Sequence, residues 1–119
     1  MAQVTLENLT KKFKNVTAVR NLSIDIQDRE FFVLLGPTGA GKTTTLRCIA
    51  GLEKPNGGTV KIAGQNVNDW GPAERDVAIV FQYYSLYPHY TVKQNLEFPL
   101  KSRIRKITPE EIKQRISKV

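Results

Sequence analysis

The sequence predicts an α/β fold in which an antiparallel β region precedes a strand, a glycine-rich loop and a helix. Within residues 19–26, Leu22, Ile24 and Ile26 alternate with polar residues at 21, 23 and 25, which is typical of a strand with one buried face. Residues 31–35 form a continuous apolar run, which is typical of a strand covered on both faces. A glycine-rich turn and a helical pattern over residues 42–50 follow directly. These patterns predict a core strand, loop and helix beside an antiparallel sheet.

The first half of the chain contains the strands that justify this fold class. Residues 4–6 and 19–26 are the predicted antiparallel strands, and residues 31–35 are the predicted central strand. The helix over residues 42–50 is expected to end at Gly51, which occupies the position of a left-handed C-terminal cap.

The next elements are a hairpin and a second buried strand. A turn at residues 55–58 precedes a strand over residues 59–62, and a further turn at residues 63–66 leads into Val67. Residues 77–81 form a second continuous apolar run, which predicts another strand covered on both faces.

Two helices are predicted in the last third of the chain from their capping residues. Thr91 with Gln94 forms a capping box for a helix that Pro99 is expected to end. Thr108 with Glu111 starts a second helix in the same way. The apolar stripe of this second helix is predicted to consist of Ile112, Ile116 and Val119. Because no residue terminates this stripe, the chain is expected to stop within a helix.

Length and composition are those of one globular domain or of part of one. The chain has 119 residues, 40% of them hydrophobic and 24% charged, so disordered and fibrous classes are excluded. No apolar run exceeds five residues, whereas a membrane-spanning helix needs about 20. Direct insertion into a membrane is therefore not expected. Cys48 is the only cysteine, which excludes an internal disulfide and favours a reducing, cytosolic compartment.

The formal net charge of +7 is unevenly distributed. Residues 101–119 hold seven basic and two acidic side chains, whereas residues 1–100 hold eleven and nine. A solvated helical face is the commoner explanation for such a basic segment. A nucleic-acid partner is disfavoured because the rest of the chain is nearly neutral.

A phosphate-binding loop is the motif with the clearest chemistry. Residues 36–43 read GPTGAGKT and match G-x-x-x-x-G-K-[ST], the Walker A pattern of P-loop NTPases. The glycines allow successive backbone N–H groups to point at phosphate oxygens, and Lys42 is expected to reach the β- and γ-phosphates. Thr43 is expected to offer its hydroxyl to Mg²⁺, and Thr44 to donate near the α-phosphate. The predicted nucleotide-binding residues here are Gly36, Pro37, Thr38, Gly39, Ala40, Gly41, Lys42, Thr43 and Thr44. The alternative is a glycine-rich turn with an exposed lysine.

The segments GPTGAGKTTTLRCIAGLEKPNGGTVKIAG and RDVAIVFQYYSLYPHYTVKQNL resemble the ATPase subunits of ATP-binding cassette (ABC) transporters, most of all sugar importers of the maltose type. The resemblance implies a partial nucleotide-binding domain over residues 1–119, with a β subdomain and P-loop core at 1–87 and the start of a helical subdomain at 88–119. It implies ATP and Mg²⁺ as cofactors. It also implies a cytoplasmic location on the inner face of the membrane, with sugar uptake coupled to ATP hydrolysis.

The resemblance assigns roles to residues outside the loop. Phe13, 23 residues before Gly36, matches an aromatic residue that stacks on adenine, although a core or surface aromatic at a strand end is an equal alternative. Gln82 follows the strand over residues 77–81 and matches a glutamine that contacts Mg²⁺ and the attacking water; the alternative is a solvent-facing amide. Lys42 and Gln82 are thus the predicted catalytic residues, and Thr43 and Gln82 the predicted metal ligands.

Partners are implied by the same resemblance. The aromatic loop over residues 83–90, from Tyr83 to Tyr90, matches the segment that receives the coupling helix of the membrane subunits. A second ATPase subunit, identical or different, is expected to complete each hydrolytic site.

The sequence contains no Asp-Glu pair after an apolar strand and no LSGGQ-like segment, both of which the family uses for hydrolysis. These residues are therefore expected to be the N-terminal part of a longer ATPase and to be inactive and poorly stable alone. A non-catalytic nucleotide-binding or regulatory module is the alternative, and a DNA-associated cassette ATPase is disfavoured by charge.

Overall fold

The computed structural model describes residues 1–103 and 105–119, which form two compact units, Met1–Ala78 and Ile79–Val119. The first unit carries the sheet, the glycine-rich loop and one helix. The second carries two helices and the aromatic loop.

A four-stranded antiparallel sheet is the frame of the first unit. Its spatial order is β2-β1-β3-β4. The strands are β1 (Val4–Phe13), β2 (Val16–Ile26), β3 (Gly57–Ile62) and β4 (Gln65–Asn66). The antiparallel region and the hairpin predicted from sequence are confirmed, and β1 and β2 are longer than the alternating patterns indicated.

Helix α1 (Lys42–Ala50) packs on one face of this sheet. The core between them consists of Leu6, Leu9, Val19, Cys48, Val60 and Val67. Cys48 is fully buried and unpaired, and burial raises the pKa of its thiol, which keeps it neutral. From α1, Cys48 belongs to this core and Ile49 packs against it.

Two capped helices make up the second unit, α2 (Val92–Leu100) and α3 (Pro109–Ser117). Both predicted capping boxes are present: the Thr91 hydroxyl accepts from the Gln94 backbone N–H at 3.1 Å, and Thr108 accepts from Glu111 at 3.3 Å. Both helix starts were therefore predictable from local hydrogen-bonding chemistry. At the C-terminal end of α2, the Lys101 ammonium lies 2.7 Å from the Glu97 carboxylate and lowers the pKa of that carboxyl.

Helix ends differ from the prediction. Helix α2 continues to Leu100 with Pro99 inside it, because a proline in the last turn removes only one late hydrogen bond. The helix is closed at its end by the Lys101 N–H, which donates to the Glu97 carbonyl at 3.0 Å. Helix α3 ends at Ser117, so Val119 lies outside it and is 92% exposed. The apolar stripe of α3 is thus limited to Ile112 and Ile116.

The two predicted buried strands are not strands in this structure. Residues 31–35 and 77–81 are irregular, and Phe31, Leu35 and Val80 are 92%, 86% and 99% exposed. Phe32, Val33 and Leu34 line a cavity of about 310 Å³ against α1 and the sheet. An apolar run favours a strand, but a strand exists only when a neighbouring strand satisfies its backbone groups. Within the described residues neither segment has such a neighbour, which is the physical reason for the difference.

Candidate phosphate-binding site

The glycine-rich loop connects irregular residues 31–35 to α1 and contains two glycines with left-handed backbone. Gly39 and Gly41 have φ values of 83° and 85°. These values lie in the left-handed region, which residues other than glycine rarely adopt. The Ala40 N–H donates to the Pro37 carbonyl at 3.1 Å and closes the turn. A cavity of about 190 Å³, lined in part by Ala18, Ala40 and Lys42, lies beside the loop. The loop has the curled shape that the motif predicts.

Gly41 fixes the loop against the sheet. A Cβ atom at Gly41 would lie 2.3 Å from the Ala18 carbonyl oxygen on β2 and 3.1 Å from Val19 Cγ2. The backbone of Gly41 therefore touches the backbone of β2, an approach that only glycine permits. The start of α1 takes its position from this contact.

The N-terminus of α1 is left open, unlike those of α2 and α3. Gly41 at the N-cap has no side chain to accept from the first-turn N–H groups, and no acidic residue lies in that turn. Thr91 and Thr108 cap the other two helices of the described residues with complete capping boxes. Free N–H groups and the positive end of the helix dipole together attract an anion.

Lys42 places its charge over the loop. Its ammonium donates to the Gly36 carbonyl and, at 2.6 Å, to the Pro37 carbonyl. The cation thus lies against two carbonyls of the loop whose amides are predicted to bind phosphate. A phosphate group bound there can replace these neutral carbonyls as the acceptor, so that donor and acceptor both carry charge.

Three threonines follow Lys42 in the first turn of α1. Thr43 is exposed and Thr44 half-buried, so the Thr43 hydroxyl is available as the hard oxygen donor that Mg²⁺ prefers. Thr45 is 3% exposed, and its hydroxyl donates to the Gly41 carbonyl at 2.8 Å. Sequence reasoning missed Thr45 because the motif does not specify this position.

Phe13 lies at the end of β1 and is 42% exposed. It pairs with Val16 on β2, two residues before Ala18, against which Gly41 packs. Two residues of strand span about 7 Å. The aromatic ring and the phosphate loop are thus both positioned by the same short stretch of β2, which brings together two of the predicted nucleotide-binding elements.

Gln82 and the aromatic loop lie in the second unit. Gln82 is exposed and outside any helix or strand. Tyr87, Tyr90 and Phe98 form a ring cluster with centroid distances of 5.2, 4.8 and 5.9 Å. Asn95, which the sequence analysis did not single out, accepts from the Tyr87 N–H at 2.8 Å and donates to the Thr91 carbonyl at 3.0 Å. The end of the aromatic loop is therefore ordered from within.

Arg75 is a second residue that sequence reasoning missed. It is 5% exposed and donates to the Cys48 and Ile49 carbonyls at 2.8 and 3.0 Å, and to the Trp70 carbonyl at 3.0 Å. Burial lowers the pKa of the guanidinium, but arginine stays charged at neutral pH. A Cβ at Gly51 would lie 2.8 Å from Arg75 Nε. Arg75 thus caps the C-terminus of α1, the end opposite the phosphate loop.

Replacing Arg75 with methionine is expected to lower the free energy of unfolding by about 2–4 kcal/mol, since buried carbonyls at the end of α1 lose their donor. Urea denaturation measures this loss. Arg29→Met is the matched control, because the Arg29 side chain is 84% exposed and its removal is expected to change stability by less than about 0.5 kcal/mol. Equal stabilities of the two variants would contradict the capping role.

Other kinds of site receive no support from the described residues. No helix among residues 1–103 and 105–119 is long and apolar enough to cross a membrane. No group of three or more histidine, cysteine, aspartate or glutamate side chains in that part of the chain is arranged to hold a metal ion.

Comparison with protein families and curated proteins gives consistent matches. The family described as ABC transporter matches residues 19–119. The trehalose/maltose import ATP-binding protein MalK of Thermococcus litoralis is 50% identical over 125 residues, which cover 100% of this chain and 33% of that protein. The trehalose import ATP-binding protein SugC of Mycobacterium tuberculosis is 48% identical, with 98% and 30% covered. The chain thus spans about a third of the length of the curated relatives it matches.

Solved structures confirm the predicted fold class. A dimeric structure of a post-hydrolysis state of the ATP-binding cassette MJ0796, bound to ADP and Pi, superposes with a TM-score of 0.81 at 33% identity. The match covers 97% of this chain and 54% of that one. A second dimeric structure of MJ0796, a bacterial ABC transporter cassette, gives the same TM-score at 32% identity.

Proposed function

This chain belongs to the ABC transporter family, and on that premise we propose that it is the phosphate-binding part of an import ATPase that takes up a sugar or similar solute. The observation that best supports this proposal is the uncapped N-terminus of α1. Gly41 packs there on β2, and the Lys42 ammonium donates to the loop carbonyls. This arrangement supplies backbone donors, a helix dipole and a fixed cation at one point. The triphosphate group of a nucleoside triphosphate uses all three.

The bound ligand proposed is Mg²⁺·ATP. The Thr43 hydroxyl fits the ion because it is a hard, exposed oxygen at the start of α1, and Gln82 is proposed as a further ligand. The ion neutralises charge on the phosphates. Lys42 holds the β- and γ-phosphates, the first-turn amides bind phosphate oxygens, and Phe13 stacks on adenine. Gln82 is proposed to orient the attacking water through its amide.

Partners are proposed from the relatives and from the aromatic loop. MalK and SugC carry the word import in their names, and MJ0796 forms a dimer. Tyr83, Tyr84 and Leu86 are 81%, 98% and 71% exposed, whereas the rings of Tyr87 and Tyr90 pack on Phe98. We place the contact with membrane subunits on the three exposed side chains, and a peripheral position on the inner membrane face follows from that contact. A second ATPase subunit is proposed to complete each site.

Sugar uptake tests this proposal. A strain lacking the gene is expected to lose uptake of labelled trehalose or maltose, and the intact gene to restore it. Lys42→Ala is expected not to restore it, because the phosphates lose their cation. Restoration by Lys42→Ala would contradict ATP-driven import by this site. Uptake unchanged by the deletion would rule out these two sugars as the solute.

A further inference from the structure

We propose that Lys11 is a positioning residue for the adenine base, holding one face of the Phe13 ring so that the other face is free to stack. The Lys11 ammonium lies 4.9 Å from the centroid of the Phe13 ring, within the roughly 6 Å of a cation–π interaction. The two residues are two positions apart on β1, and such side chains project to the same side of a strand. The inference rests on the proposed nucleotide site.

The Lys11 ammonium is held in place by groups other than the ring. It donates to the Lys54 carbonyl at 2.8 Å and lies 3.4 Å from the Glu53 carboxylate. The Lys11 side chain is 13% exposed, so the charge is largely shielded from water. A cation fixed by a carbonyl and a carboxylate cannot move away from the ring easily, and this distinguishes Lys11 from a mobile surface lysine.

The anchors of Lys11 belong to the segment that ends the phosphate-binding helix. The N–H groups of Leu52 and Glu53 donate to the Arg47 carbonyl of α1 at 2.9 and 3.2 Å. Lys11 therefore connects the Phe13 ring to the C-terminal end of the helix whose N-terminus carries Lys42. The Phe13 ring, through Lys11, and Lys42 are thus both linked to α1.

Phe13 remains partly accessible. The residue is 42% exposed although the Lys11 ammonium lies over its ring. A cation on one face attracts the π electrons of the ring, which leaves the opposite face less electron-rich. A purine π system stacks more favourably on such a face because repulsion between the two π clouds is reduced. Lys11 is therefore expected to favour adenine binding both by orienting the ring and by polarising it.

The test compares ATP with inorganic triphosphate as ligands of the protein produced from its full reading frame. Triphosphate reports the phosphate loop alone, whereas ATP also reports the base. Lys11→Met is expected to weaken ATP binding about three- to tenfold and to leave triphosphate binding unchanged. Lys12→Met is the control, because Lys12 is the exposed neighbour. It is expected to leave both affinities unchanged.

Lys11→Gln separates the charge from the anchoring contact. Glutamine keeps an N–H donor on a side chain one bond shorter but carries no cation. It is expected to lose ATP preference as Lys11→Met does. Wild-type ATP affinity in Lys11→Gln would overturn the proposal, as would an equal loss of ATP and triphosphate binding in both variants, which indicates a structural role only.

Phe13→Leu distinguishes failure of the inference about Lys11 from failure of the proposed nucleotide site. It is expected to weaken ATP binding and to spare triphosphate, as the Lys11 variants do. If Phe13→Leu spares both ligands, the ring does not stack on the base and the inference is overturned while phosphate binding stands. If the wild-type protein binds neither ligand, the proposed nucleotide site itself fails, and the inference with it.

Discussion

Lys42→Ala is expected to weaken binding of Mg²⁺·ATP by at least about 100-fold, because the charge-assisted bonds to the phosphates, each about 1.5–3 kcal/mol, are lost. The structure gives the reason: the ammonium lies on the Gly36 and Pro37 carbonyls, within the loop itself. Isothermal titration of the protein from its full reading frame measures the effect.

Folding is not expected to depend on Lys42. Its ammonium contacts only loop carbonyls in the described structure, so the free energy of unfolding should change by less than about 1 kcal/mol. Lys118→Ala removes the same charge from an exposed position after α3 and serves as the matched control. Affinity that falls equally in both variants would show that net charge, rather than the position of Lys42, governs binding.

Gly41→Ala is expected to destabilise the fold and to abolish nucleotide binding together. Left-handed backbone costs alanine about 1–2 kcal/mol, and a Cβ 2.3 Å from the Ala18 carbonyl oxygen adds an overpacking cost of about 1–3 kcal/mol. The expected loss is therefore about 3 kcal/mol in urea denaturation. The start of α1 must move away from β2, which displaces the amides that bind phosphate.

Gly39→Ala is the matched control for this prediction. Gly39 has nearly the same φ, 83°, but a Cβ there meets nothing within 4 Å. Only the backbone strain of about 1–2 kcal/mol is expected. Equal losses in the two variants would show that the contact between Gly41 and β2 contributes nothing to stability.

Local chemistry explains what the sequence predicted correctly. The capping boxes at Thr91 and Thr108 and the left-handed cap at Gly51 each depend on side chains or glycines close together in the chain. Such signals are complete within a few residues. Strand β2 was predictable for a similar reason, because the alternation over residues 21–26 indicates one buried face.

Contacts between distant segments explain what the sequence analysis missed. Residues 31–35 and 77–81 have the composition of strands but no paired neighbour among the described residues. The prediction of two strands from composition was therefore wrong. Arg75 reaches the end of α1 across 26 and 27 positions of sequence, and no motif marks it. Lys11 lies in a run of lysines, and its burial depends on Glu53 and Lys54. Neither partnership is visible without the fold.

The central claim is that residues 36–44 hold the phosphates of ATP, and amide NMR during a titration with Mg²⁺·ATP tests it most directly. The largest shift changes are predicted at the amides of Gly39, Gly41, Lys42, Thr43 and Thr44, saturating with one dissociation constant. Titration with inorganic triphosphate is predicted to move the same amides. Binding of ATP with the largest changes outside this loop, or with this set unmoved by triphosphate, would contradict the claim.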